Sequence, residues 1–271
     1  MPASVPPPIR EVVLTRPDGS NAELQAALEA TRPADGVRPE PLLTTLPLLA
    51  IRSLPDGGEL PEALAAMRAE DMVVFVSPRA VAAAATWRPL SDWPARHVAA
   101  VGAATGRALA DAGRQDAPLP DGSEDSEGLL ERLNGLSMAG RRVWIIRGET
   151  GRELLAETLS DRGARPRFVA VYRRECAPAP ATIPAGRDRL WIVTAPQALD
   201  CLAVLAPVAD GEPSGLLDST LLVINERARD RARALGFRGP VVLAGGPTPA
   251  TLARAAWDLI IERQSSLRTR P

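Results

Sequence analysis

The chain is short of the side chains that most often carry enzymatic chemistry. It has one histidine (His97), one tyrosine (Tyr172), two cysteines (Cys176 and Cys201) and no lysine, so all 32 basic residues are arginine. Without lysine there is no Schiff base, no pyridoxal-phosphate anchor and no phosphate-loop lysine. One histidine and two cysteines do not make a His-rich or Cys-rich metal site, and the cysteines form no CxxC pair. A Ser-His-Asp triad would have to use His97. That residue follows Trp93-Pro94-Ala95-Arg96 at the start of an expected strand, away from the end where ligands bind. It reads as a surface or internally satisfied histidine. Cys176 and Cys201 lack an activating motif and read as free, structural or incidental thiols, which suits a reducing cytoplasm.

Tyr172 and the arginines remain. Tyr172 stands in Val171-Tyr172-Arg173-Arg174. A phenol can donate a proton to a leaving group; the alternative is a half-buried hinge residue with a hydrogen-bonded hydroxyl. Arg16 and Arg147 each end an apolar run. A guanidinium there can grip a carboxylate with two parallel hydrogen bonds or close a structural ion pair. The run Arg147-Gly148-Glu149-Thr150-Gly151-Arg152 has glycines but lacks the lysine and spacing of a phosphate loop.

These residues need elements to hold them. Short apolar runs alternate with amphipathic stretches, the signature of βαβ units and a parallel sheet. Strands are predicted at 11–15, 71–77, 98–101, 142–146, 189–193, 220–224 and 241–243. Helices are predicted at 21–31, 79–87, 104–112, 126–136, 151–162, 196–205, 227–235 and 249–263, with a frayed tail from 264. Two further segments, 41–52 and 166–175, look extended and could pair as a two-stranded ladder.

The chain also resembles itself. Val73-Val74-Phe75-Val76-Ser77-Pro78-Arg79-Ala80 matches Trp191-Ile192-Val193-Thr194-Ala195-Pro196-Gln197-Ala198. Val12-Val13-Leu14-Thr15-Arg16 matches Val143-Trp144-Ile145-Ile146-Arg147, and two more strand–helix units recur in the same order. The units run A, B, C, D, A, B, C, D. Two tandem domains would divide near Gly140. An interleaved pair would group the first A with the last B, C and D.

In parallel sheets, ligands bind beyond the carboxyl ends of the strands. The turns there carry Arg16, Ser77-Pro78, Gly102 with Thr105, Arg147-Gly148, Thr194-Ala195 and Thr248. Their small residues expose N–H groups at helix starts, which suits an anion, although such residues also serve simply as caps. A cleft between two similar halves is the expected ligand site. The formal net charge of -1 calls for neither nucleic acid nor an anionic membrane. The proline-rich first ten residues do not read as a signal peptide, and no run is apolar enough for a membrane span.

Taken together, these motifs resemble the uroporphyrinogen-III synthase family over about residues 12 to 261. The carriers are Leu14-Thr15-Arg16-Pro17, the run from Val73 to Val81, Ala100-Val101-Gly102-Ala103-Ala104-Thr105, Ser126-Glu127-Gly128-Leu129-Leu130, the run from Arg147 to Leu155, Val171-Tyr172-Arg173-Arg174 and Pro247-Thr248-Pro249. The resemblance implies two flavodoxin-like α/β domains, interleaved as 1–45 plus 174–271 and 46–173 and joined by a two-stranded ladder. It implies a cytoplasmic, monomeric, cofactor-free and metal-free lyase of heme biosynthesis. Its substrate would be hydroxymethylbilane, handed over by hydroxymethylbilane synthase. Tyr172 takes the place of the family's proton donor. Arg16, Ser77, Pro78, Gly102, Thr105, Arg147, Gly148, Thr194, Ala195 and Thr248 fall at substrate-binding positions. Ala195 stands where the family often has serine, and Asn225-Glu226-Arg227-Ala228 departs from the family's usual turn. A two-domain protein that binds a small anion without chemistry is the alternative, and a nucleotide-sugar transferase a third reading that lacks an acidic metal motif.

Overall fold

The computed structural model describes residues 7–17, 20–33, 40–114, 126–151, 153–206, 208–209, 212–213 and 215–268. Arg152 and the ends of the chain, on which expectations were placed above, lie outside them. In chain order the elements begin with β1 (Glu11–Leu14), α1 (Ala22–Ala30), β2 (Leu42–Thr45), β3 (Leu49–Ser53) and α2 (Leu60–Ala66). There follow β4 (Met72–Phe75), α3 (Pro78–Trp87), β5 (His97–Ala100), α4 (Ala103–Asp111), α5 (Ser126–Arg132), β6 (Arg142–Gly148), α6 (Leu154–Asp161) and β7 (Arg165–Cys176). The remainder is β8 (Arg189–Val193), α7 (Pro196–Val204), the small pair β9 (Val208–Ala209) and β10 (Glu212–Pro213), β11 (Thr220–Val223), α8 (Glu226–Ala234), β12 (Val241–Leu243) and α9 (Pro249–Arg268).

The chain divides into two compact units, Met1–Ala50 with Glu175–Pro271, and Ile51–Arg174. It therefore leaves the first unit within β3 and returns within β7. The first unit holds a sheet ordered β12-β11-β8-β1-β2, with every neighbouring pair parallel. Counted along the chain within that unit, this is the doubly wound order 2-1-3-4-5. The second sheet runs β3-β7-β6-β4-β5, and β7-β6, β6-β4 and β4-β5 are parallel. Counted cyclically from β6, this is the order 3-2-1-4-5, which reverses between β6 and β4.

Helices cover both faces of each sheet, which is why the central strands are apolar throughout. β4 (MVVF) and β11 (TLLV) are buried at every position. In the first unit Val13, Trp191, Val193 and Leu221 pack on one face with α7 and α8. Val12, Leu14, Ile192 and Leu222 pack on the other with α1 and α9. In the second unit Phe75, Trp144 and Ile146 lie under α2, α3 and α4, and Val74, Val143 and Ile145 under α5 and α6.

Four expectations need correction. Segment 41–52 is not one strand. Pro47 removes a donor and interrupts it, so Leu42–Thr45 pairs with β1 and Leu49–Ser53 lies beside β7. Segment 166–175 is more than half of a ladder, because β7 runs parallel to β6 from Arg165 to Tyr172 as a full member of the second sheet. Helix α9 does not fray at Gln264 but continues to Arg268, and Ser266 Oγ donates to the Glu262 carbonyl at 2.9 Å. Finally, Cys176 and Cys201 are not free thiols; they form a disulfide with Cα atoms 5.3 Å apart. A separation of 25 residues hides the fact that the end of β7 reaches α7.

Candidate functional site

A doubly wound sheet opens a crevice where the strand order reverses. In the second unit that point lies between β6 and β4. A cavity of about 190 Å³ sits there, lined by Ser77, Ile145, Arg147, Gly148, Thr150, Gly151, Phe168, Tyr172 and Arg174 among others. Four of the expected residues, Ser77, Arg147, Gly148 and Tyr172, thus meet in one place.

Register explains how Tyr172 arrives. β6 and β7 pair regularly from Arg142↔Arg165 to Arg147↔Ala170, then a bulge sets Gly148 opposite Tyr172 rather than Val171. A bulge re-aims a side chain. Here the phenol ring lies over Gly148 so closely that a Cβ there would stand 2.7 Å from its Cε2. Gly148 is a glycine because the ring occupies the space of its side chain. The ring is buried, at 4% exposure, and its hydroxyl stands 3.5 Å from Ser77 Oγ. Ser77 also opens α3, accepting from the Ala80 N–H at 3.2 Å. One residue therefore caps a helix and faces the phenol.

Arg147 is the buried cation of the site, at 7% exposure. Its Nε donates to the Gly148 carbonyl at 3.1 Å, and its guanidinium lies 4.3 Å from the centre of the Phe168 ring. Burial also pushes the Arg79 guanidinium below its ordinary value; facing Tyr172 raises it and Arg174 lowers it further. Arg147 and Arg174 line the cavity, and guanidinium groups in a cavity wall favour an anionic ligand. Pro78 is the first residue of α3, while Gly102, with φ of 81°, precedes α4 and Thr105 is buried on that helix's inner face. These three do not line the cavity. Thr105 is a buried residue in the first turn of α4, at 2% exposure.

The first unit has its own reversal point, between β1 and β8. Thr15 Oγ1 donates to the Ile192 carbonyl at 2.7 Å and ties the two strand ends. Arg16 follows. Its backbone is clamped by Asn21, whose side chain accepts from the Arg16 N–H at 3.1 Å and donates to the Arg16 carbonyl at 2.7 Å. Its guanidinium donates to the Pro247 carbonyl at 2.7 Å, reaching the turn that carries Thr248. Burial lowers the pKa of Arg16, and Glu23 partly restores it. Thr248 is exposed and caps α9 by accepting from the Thr251 N–H at 3.2 Å. Thr194 and Ala195 lead into α7, which has no side-chain cap where Ser77 caps α3. Asn225 departs from the family pattern for a local reason: its Oδ1 caps α8 by accepting from Ala228 N–H at 2.9 Å.

Sequence reasoning missed Phe168 and Asn21. Phe168 looked like one more apolar residue of an extended segment, and a cross-strand stack leaves no local mark. Asn21 carries the ordinary signal of a helix cap, yet it clamps the Arg16 turn. Among the described residues, no three of His, Cys, Asp and Glu come together as a metal site, and no helix is long and apolar enough to cross a membrane.

The chain was compared with known proteins. The family model for uroporphyrinogen-III synthase matches residues 42–253. Uroporphyrinogen-III synthase of Salmonella typhimurium is 33% identical over 238 residues, 84% of this chain and 92% of that protein. The Escherichia coli protein of the same name is 34% identical over 188 residues, 66% of this chain and 76% of its own length. Among solved structures, uroporphyrinogen-III synthetase from Helicobacter pylori has a TM-score of 0.57 at 16% identity, covering 93% of this chain and all of that one. A mutant of the Thermus thermophilus synthase has a TM-score of 0.50 at 16% identity, covering 93% of this chain and 99% of its own. The structural likeness establishes the α/β fold; the family model spanning strands β2 to β12, with relatives a third identical over most of their length, establishes that this chain belongs to the uroporphyrinogen-III synthase family.

Proposed function

We propose that this chain closes hydroxymethylbilane to uroporphyrinogen III, a cofactor-independent lyase step of heme biosynthesis. The hydroxyl of the open tetrapyrrole departs as water, ring D inverts, and the macrocycle closes. The observation that carries the reading is the cavity at the end of β6, where the Tyr172 and Ser77 hydroxyls and the Arg147 guanidinium meet.

Tyr172 is the proton donor in this reading. It protonates the departing hydroxyl, and the electron-rich pyrrole stabilises the cation left behind. Ser77 orients the phenol. The remaining task is to hold a flexible substrate in the attacking geometry, and positioning alone can supply several orders of magnitude in rate. The substrate carries eight carboxylates, which fits a chain whose binding groups are arginines and helix-start N–H groups. Arg147 binds a carboxylate in the second unit. Arg16, Thr194, Ala195 and Thr248 bind others at the strand ends of the first. Gly148 serves by making room for Tyr172, while Pro78 and Gly102 shape the turns that lead into α3 and α4, and Thr105 stands in the first turn of α4. The reading extends to a monomer acting in the cytoplasm on substrate handed over by hydroxymethylbilane synthase, since a substrate that also closes spontaneously gains from short transit.

The test supplies hydroxymethylbilane, generated in place, to the purified protein and resolves the uroporphyrinogen isomers. Type III product is expected. Type I alone, the product of spontaneous closure, overturns the reading in favour of a binding protein without catalysis.

A further inference from the structure

The geometry points to Phe168 as a positioning residue that holds Arg147 ready for a substrate carboxylate; the inference rests on the reading that Arg147 binds substrate. Phe168 is an unusual residue for its place. It is 40% exposed, one of the few large apolar side chains on the surface. It also lines two cavities, the site above and a second of about 160 Å³ beside α2. Among the described residues it is not one of the buried side chains that make up the unit's apolar clusters.

What the ring does meet is Arg147. On paired strands, Phe168 stands opposite Ile145, so it is the diagonal neighbour of Arg147 on the same face of the sheet. The guanidinium carbon lies 4.3 Å from the ring centre, well inside the range of a cation–ring attraction. The Gly148 carbonyl accepts from Nε and fixes the rotation of the plane. On a further side Gly151 closes in, where a Cβ would stand 2.6 Å from one terminal nitrogen. The guanidinium is thus stacked on one side, hydrogen-bonded through Nε and flanked by a glycine. An arginine loses considerable rotamer entropy when it binds a ligand. Here the fold has removed most of that freedom in advance, and preorganisation of this kind raises affinity without a new contact. The effect should appear in substrate binding and not in proton transfer.

The test is a kinetic cycle of Phe168→Leu, Phe168→Tyr and Arg147→Ala, with the double variant and a melting curve for each. Phe168→Leu is expected to raise KM about five- to tenfold, the size of a partly desolvated cation–ring contact, with kcat within about twofold. Phe168→Tyr keeps a ring and is expected to restore KM to within about twofold of wild type. In an Arg147→Ala background, Phe168→Leu is expected to add nothing. If Arg147→Ala raises KM while Phe168→Leu does not, the inference is overturned and the role of Arg147 stands. An additive loss in the double variant overturns it as well. If Arg147→Ala leaves KM unchanged, the assignment of Arg147 to substrate fails and takes this inference with it. Phe168 is exposed, so its variants should melt close to wild type; a Phe168→Leu variant that melts much lower and loses kcat in step overturns the positioning role in favour of a structural one.

Discussion

Replacing Gly148 by alanine should slow catalysis by moving a side chain that the substitution does not touch. The added Cβ would stand 2.7, 2.9 and 3.2 Å from three atoms of the Tyr172 ring. Non-bonded carbons settle about 3.5–4.0 Å apart, so the ring must withdraw by about 1 Å. Gly148 lies in a central strand, fixed on both sides by β4 and β7, whereas the ring projects into the cavity, so the ring is what yields. Its hydroxyl, now 3.5 Å from Ser77 Oγ, then leaves its place at the mouth. A misplacement of about 1 Å in a catalytic group can cost about a hundredfold in rate, equivalent to about 2.7 kcal/mol in the barrier. Overpacking a core costs about 1–3 kcal/mol of stability, or a Tm lower by about 2–10 °C. The assay is initial rate of type III formation with the upstream synthase in excess, beside a thermal melt. Gly148→Ala should lose about 30- to 100-fold in kcat with KM changed far less. Combined with Tyr172→Phe it should lose no more than the worse single variant, because both act on one hydroxyl. Wild-type kcat in a protein whose Tm has fallen would refute the reasoning, since it would show that the ring had moved without consequence.

Further expectations concern separate parts of the molecule. Tyr172→Phe should slow turnover with near-normal KM; wild-type kcat there rejects the proton-donor role. Cys176→Ala opens the loop closed by the disulfide, whose 25-residue separation corresponds to about 3–4 kcal/mol of loop-closure stabilisation, so Tm should fall by about 10 °C. Reduction by a dithiol should reproduce the shift, and an unchanged Tm on both counts contradicts the bond's contribution. Asp71 is 2% exposed and accepts from Arg142 Nε at 3.0 Å, Trp144 Nε1 at 2.9 Å and the Arg68 N–H at 2.9 Å. Asp71→Ala strands those donors at the amino end of β4, far from the strand ends that hold the site. It should cost about 3–5 kcal/mol by denaturant titration while leaving KM and kcat of the folded fraction intact, and a changed KM speaks against that separation.

The strands were largely legible because parallel strands buried on both faces are simple apolar runs, whereas their order within each sheet is set by pairing that no single run announces. The repeated units were legible too, since Ser77-Pro78 and Ala195-Pro196 each follow such a run at the same spacing. Of the candidate site, Arg147 was legible at its strand end, since it follows the run of β6 directly. What escaped depended on pairing between distant segments. The bulge that sets Tyr172 against Gly148 is a property of two strands together, and neither strand announces it. The stack of Arg147 on Phe168 and the disulfide between β7 and α7 are contacts of the same kind. Gly148 appeared as a backbone position suited to an anion; its packing under the phenol gives the stronger reason for a glycine. Thr105 suggested a ligand hydroxyl from its place after a strand; that α4 buries it is not visible in the sequence.

The central claim is that this chain directs ring D inversion. The most direct measurement is the isomer ratio of uroporphyrinogen formed from hydroxymethylbilane as the concentration of purified protein is raised. The type III fraction is expected to climb with protein concentration until type I is nearly eliminated, and Tyr172→Phe to need far more protein for the same ratio. A ratio fixed at that of spontaneous closure, whatever the protein concentration, would contradict it.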